Sequence, residues 1–299
     1  MNAETAFYRN KKSVAFCCAF FSATKSRILK IVWFISLLFL SIIGFSQKNV
    51  KIFAEKERGI TILFAENNEI CPVSVLLTLE LFNMTANGIN DNGYIIPAKA
   101  GKIKLIELRR IERGKKTTYS YTFSAIYGNV NLVTYDSNYL YDLPYRKGLQ
   151  FRIEQGYNGS FTHQNEKALD FNMPEGTLIQ AAREGVVAAV VQNNNETCLR
   201  EECKKMSNYV LIFHSDGSFA EYAHIQYNGA FVAVGDTVTK GMVIAISGST
   251  GYARGPHLHF VCFLPDFVKR RTVATKFRTG KGTHSAYLAE NKTYKKNYQ

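Results

Sequence analysis

YVLIFHSDGSFAEYAH, residues 209–224, decides the fold. Two short runs rich in β-branched and aromatic residues flank Ser215, Asp216, Gly217 and Ser218, all turn formers. Read as a hairpin with a four-residue turn, the stretch sets His214 opposite Phe219 and His224 opposite Tyr209. Five residues at roughly 3.3 Å each then hold the two histidines about 16 Å apart, too far to serve one site.

The same texture runs outward. TLIQAA, a turn at Arg183-Glu184-Gly185 and VVAAVV read as a second hairpin, and FVAVGDTVTKGMVIAISG adds two strands around Gly235-Asp236. No long 3.6-residue period follows residue 47, so the expected class is all-β, with an antiparallel catalytic-sized domain over 151–265. Ahead of it, residues 48–64 and 100–125 read as strands of a small β module over 47–127, which carries no chemical motif. Residues 128–150, with YDSNYLYDLPYRKG, form an aromatic-rich connector. NNNETCLREECKKMSN (193–208) is a polar loop between strands, and the basic, apolar-poor tail 266–299 is expected to be mobile at its end.

The 299 residues, 46% hydrophobic, suffice for one sizeable core and a smaller one. The net charge of +13 sits at the ends. Residues 1–30 carry six Lys/Arg against one acid and residues 266–299 nine against two, leaving the long middle nearly neutral. A basic groove for nucleic acid is therefore excluded. The tail could instead attract an anionic wall polymer or a membrane surface.

The apolar run from Ile31 to Phe45 is 15 residues, shorter than the roughly 20 that span a bilayer. It follows a basic segment and ends at Gly44 and Ser46, small residues that suit cleavage before Gln47. Export to the periplasm or the exterior is expected, with a membrane anchor at residues 31–46 as the alternative. Cys198 and Cys203 then lie in an oxidising place, as a local disulfide or as two thiols.

GPHLHF (255–260) puts His257 and His259 two apart, on one side of a strand, while Leu258 and Phe260 enter the core. His163 lies in a polar turn. Asp170 interrupts the apolar strand ALDF, where a bare carboxylate is costly to bury and needs a partner. Lys167 is one choice and a metal another. Two imidazole nitrogens with one carboxylate oxygen make a three-ligand catalytic zinc set.

HQNEKALDFNMPEGTLIQAAREGVV, NYVLIFHSDGSFAEYAHI, VGDTVTKGMVIAISGSTG and GPHLHF, in this order through 151–265, resemble the lysostaphin/LytM-type zinc metallopeptidases. The resemblance implies a compact antiparallel β fold and hydrolysis of peptide bonds in bacterial cell-wall peptidoglycan. It implies zinc ligands at His163, Asp170 and His259, with His224 and His257 as the catalytic histidines that are not ligands. Six residues separate His163 from Asp170, where the commoner family pattern has three. Zinc of this kind lowers the pKa of its bound water and polarises the scissile carbonyl. Tyr222, two residues before His224, is an extra donor or a core side chain.

Rival chemistries find no support. There is no H-E-x-x-H and no G-x-S-x-G, and GSTG (248–251) reads as a tight turn. Cys262 stands at odd offsets from both histidines of the last motif, on the opposite strand face. The remaining alternative is a non-catalytic wall-binding or amidase-activating protein of the same fold. Such relatives generally lack ligands or catalytic histidines, and here all five positions are filled.

Overall fold

The computed structural model describes residues 49–299; the segment read as a signal or an anchor lies outside them. The first strands are β1 (Val50–Glu57), β2 (Ile60–Asn67), β3 (Val73–Phe82), β4 (Met84–Asn87), β5 (Tyr94–Ile96), β6 (Ile103–Arg110) and β7 (Thr118–Tyr127). They make two sheets, ordered β1-β2-β6-β4 and β5-β3-β7. Side chains alternate across each strand, so one row of each sheet turns inward. Leu63, Val73, Val75, Ile106 and Leu108 meet there as a core of their own.

Next come β8 (Leu140–Tyr141), β9 (Gln150–Gln155), β10 (Ala168–Phe171), β11 (Leu178–Gln180), β12 (Gly185–Val191) and β13 (Thr197–Cys198). A 3-10 helix (Glu201–Met206) leads to β14 (Tyr209–Phe213), β15 (Phe219–Ala223), β16 (Ile225–Ala230), β17 (Thr237–Val238), β18 (Val243–Ser247) and β19 (Gly251–Tyr252). The chain closes with β20 (Leu258–Leu264), β21 (Arg271–Val273), β22 (Lys276–Thr279), β23 (His284–Tyr287) and β24 (Thr293–Lys295). The central sheet runs β17-β12-β14-β15-β20-β10-β9-β24, with β21 beside β20. Its neighbours are antiparallel throughout. One face buries Leu169, Phe171, Val210, Tyr222, Leu258 and Phe260 in the main core. The other face carries His259 and Asp170 at one end, and at the other Leu211 and Phe219 pack against Ile70 and Tyr127 from the first strands.

Three expectations need correction. The hairpin register is Phe213↔Phe219 and Tyr209↔Ala223, one residue off the expected pairing. Ser218 is not a turn residue: its carbonyl accepts the His214 N–H at 2.9 Å. A three-residue loop remains, closed by Gly217 at φ +85 and by Asp216, whose carboxylate accepts from the Ser218 N–H and hydroxyl. Glycine takes this left-handed position without a Cβ penalty.

β11 does not form a hairpin with β12. It pairs with β18 in a separate sheet with β16, because the Gln180 and Ala181 N–H groups donate to Pro144 and Met242 carbonyls instead.

The end of the chain is folded, not loose. Phe277, Leu288 and Tyr298 lie in the main core, and β24 pairs with β9. Arg278 holds Asp142 through two hydrogen bonds of 2.6 and 2.7 Å. Lys296 is buried and donates to Leu143 O and Gln180 Oε1. Two of the tail's positive charges, on Arg278 and Lys296, are thus engaged internally.

Candidate metal centre and its cleft

Asp170 and His259 meet because the β10–β20 register sets them directly opposite each other. Directly opposed residues project to the same face of an antiparallel pair. On the next strand Ala223 faces His259, a small side chain that leaves the space above it open. His163 arrives from the loop before β10 and is almost fully buried. Its Nδ1–H donates to the Gly156 carbonyl at 3.0 Å, which leaves Nε2 as the free ligand atom.

The three donor atoms form a near-equilateral triangle. His163 Nε2 stands 3.3 Å from Asp170 Oδ1 and 3.3 Å from His259 Nδ1, and His259 Nδ1 is 2.9 Å from Asp170 Oδ1. A tetrahedral ion with bonds of about 2.0–2.1 Å separates its ligands by roughly 3.3–3.4 Å. The donor set therefore fits a divalent metal in number, chemistry and spacing. Burial on its own would raise the Asp170 pKa. The facing His163 and His259 rings outweigh it and hold the carboxyl well below its usual range. The carboxylate is ionised and ready to coordinate. Lys167 is not its partner.

Gln155, on β9, is the residue that sequence reasoning missed. Its Nε2 donates to Asp170 Oδ2 at 2.9 Å, turning Oδ1 toward the two imidazoles. Its Oε1 accepts from the Phe161 and Thr162 N–H groups, which fixes the loop that delivers His163. A polar side chain at the buried position of the alternating run QFRIEQ was the available signal.

His224 and His257 complete the group. The His257 Nδ1–H donates to Gly255 O at 2.8 Å, and its Nε2 lies 3.8 Å from Asp170 Oδ1. His224 follows the end of β15 in a left-handed conformation, φ +63. Its Nδ1–H donates to Thr250 O at 2.6 Å, and its ring centroid is 4.5 Å from that of His257. Burial first, then the neighbouring His257, pushes the His224 pKa down to about 3. With Nδ1–H tied to a carbonyl, the neutral form of each ring carries its lone pair on Nε2.

Other residues fall elsewhere. Tyr222 is a core side chain: it is fully buried and its hydroxyl accepts the Ala182 N–H at 2.8 Å. His214 lies at the far end of the hairpin, buried rather than beside an exposed turn, with Nδ1–H donating to Glu184 O. Burial pushes the Cys262 thiol up to about 12, which removes it as a nucleophile. Cys198 and Cys203 are bonded to each other.

The five residues line a cleft of about 1460 Å³. Phe161 stacks on Tyr252 at one rim, with Arg254 on the Phe161 ring. Glu221 and Arg270 form an ion pair at 3.0 Å elsewhere on the cleft wall.

Residues 164–265 match the profile of peptidase family M23. This stretch is similar to the M23 peptidases. His163 stands one residue ahead of the matched stretch, and the other four site residues lie within it. The chain is 35% identical over 91 residues to the peptidoglycan DD-endopeptidase ShyA of Vibrio cholerae, a match covering 30% of this chain and 18% of ShyA. The glycyl-glycine endopeptidase ALE-1 of Staphylococcus capitis is 30% identical over 159 residues, covering 51% of this chain and 40% of its own length. Among solved structures, the catalytic domain of lysostaphin from Staphylococcus simulans aligns at 27% identity and a TM-score of 0.28, over 46% of this chain and 88% of that one. The chain spans less than half the length of these curated relatives.

Proposed function

We propose that this chain is a zinc-dependent endopeptidase that hydrolyses peptide cross-links of bacterial cell-wall peptidoglycan. The observation that carries the reading is the donor triangle of His163, Asp170 and His259, flanked by two imidazoles whose Nδ1 atoms are tied to carbonyls. Two relatives are named as endopeptidases, one of them a peptidoglycan DD-endopeptidase and the other a glycyl-glycine endopeptidase, which supports the substrate class.

His163 Nε2, His259 Nδ1 and Asp170 Oδ1 would hold the ion, and Gly156 O and Gln155 orient two of them. Zinc supplies Lewis acidity there, polarising the scissile carbonyl and making water a nucleophile near neutral pH. His224 and His257 are the proton carriers. An Nε2 lone pair takes the proton of the attacking water, and the resulting imidazolium stabilises the developing oxyanion and passes the proton to the leaving amine. The open cleft admits an extended peptide on either side of the triangle. The Cys198–Cys203 bond accords with work outside the cytoplasm.

Digestion of defined cross-linked muropeptides by the purified zinc-loaded protein tests the reading. Mass analysis should show one peptide bond hydrolysed per cross-link, with no change in the glycan. Intact cross-links after prolonged digestion would overturn it.

A further inference from the structure

The loop between β12 and β14 reaches the site from the side, braced by its disulfide. Cys198–Cys203 ties β13 to the 3-10 helix. β13 is in turn stitched to β19, with Thr197 beside Gly251 and Cys198 beside Tyr252, and the Gly251 N–H donates to Glu196 O at 2.7 Å. The helix ends at Ser207. Its backbone presses so closely on Gly251 that a Cβ there would stand 2.7 Å from Ser207 Cα. The Asn208 N–H donates to Thr250 Oγ1 at 3.0 Å, and that hydroxyl donates to Ile225 O at 2.9 Å. Residues 196–208, 224–225 and 250–252 therefore pack as one unit. At its centre lies His224 Nδ1, 2.6 Å from Thr250 O and 3.2 Å from Ser207 Oγ.

We propose that Ser207 is a positioning residue for His224, and that the disulfide loop holds Ser207 and Thr250 where they aim the ring at the metal cluster. The inference rests on the peptidase reading above. His224 needs such support because it lies beyond the last sheet pair, Tyr209↔Ala223, at φ +63. A non-glycine residue there is strained and persists only where its surroundings over-determine it. A carbonyl only accepts, so Thr250 O selects the Nδ1–H tautomer, and the Ser207 hydroxyl restricts rotation of the ring. The loop also presents Glu201, Glu202, Lys204 and Lys205 to the cleft. A loop that only touches substrate would act on binding instead, so kinetics separates the two roles.

The test uses Ser207→Ala and the double variant Cys198→Ser/Cys203→Ser, each as the full zinc-loaded protein. The expected result is unchanged zinc content, KM within about twofold and kcat lower by about tenfold, the pattern of an interaction realised in the transition state. Imidazole 15N spectra should show His224 as a single Nδ1–H tautomer in the wild type, as the same tautomer with a motionally broadened signal in Ser207→Ala, and as a mixture in the double variant. That signal requires no turnover, so a wild type with the expected tautomer but no hydrolysis would sink the peptidase reading alone. A raised KM with kcat held, or wild-type kcat and wild-type His224 signals in both variants, would overturn the positioning role. If the double variant fails to fold, Ser207→Ala decides the matter.

Discussion

Asp170 and His259 face each other across β10 and β20, with Oδ1 and Nδ1 2.9 Å apart. No side chain has to move for both to touch one ion. Purified protein should therefore hold one zinc per chain, and Asp170→Ala and His259→Ala should each lose it. Full occupancy in both variants by elemental analysis would refute the ligand set.

Gln155 orients Asp170 without touching the ion. Replacing a partner of this kind typically weakens metal affinity by about 10–100-fold. Gln155→Leu should show a loss of that size in a chelator competition, with the sheet intact by circular dichroism. An unchanged affinity would make Gln155 a loop anchor only.

His224 and His214 sit at opposite ends of one hairpin and should behave oppositely. His224→Ala should keep zinc and lose at least about 100-fold in hydrolysis, the low end of general acid–base effects. His214→Ala should stay within a few-fold of wild type. The reverse outcome would mean that the site assignment is wrong.

His214 should instead register in stability. Burial, then Arg183, pushes its pKa down to about 4, against the opposing pull of Asp216 and Glu184. The unfolded chain, near 6.5, binds the proton more readily, so this contribution is full above pH 6.5 and is lost as pH falls toward 4. The loss is on the order of 3 kcal/mol. His214→Gln keeps a donor for Glu184 O but cannot titrate. Its urea-unfolding free energy should fall less than that of the wild type between pH 7 and pH 4.5; parallel curves would contradict the assignment.

Removing residues 276–299 should cost the fold itself. Phe277, Leu288 and Tyr298 leave the main core, at roughly 1.5–3 kcal/mol for each large side chain, against a typical total of about 5–15 kcal/mol. The truncated chain should lose its cooperative thermal transition. A sharp transition at the wild-type temperature would show that the tail is dispensable.

The site was legible in the sequence because its chemistry is local to short motifs. His257 and His259 share a face by strand alternation alone, and Asp170 was conspicuous as a charge in ALDF. The supporting shell was not legible. Gln155, Ser207 and Thr250 are ordinary polar residues whose roles depend on which carbonyl or hydroxyl the fold brings alongside. The hairpin register failed by one residue because SDGS allows more than one loop length, and only the Asp216–Ser218 hydrogen bonds choose between them. The tail misled for a different reason. Its buried apolar residues, Phe277, Leu288 and Tyr298, are spaced too widely for any periodicity to reveal them, yet each fills a place in the core.

The pairing of β24 with β9 has a consequence for the order of assembly. β9 carries Gln155, which steers Asp170, and its partner β24 begins at Thr293, which pairs with Arg152 far earlier in the chain. The Leu143 N–H likewise donates to the hydroxyl of Tyr298, 155 positions later. Until residues 293–295 are in place, that edge of β9 has no neighbour. Ordering the candidate metal centre thus depends on long-range pairing, which makes it costlier to form than any of the local hairpins.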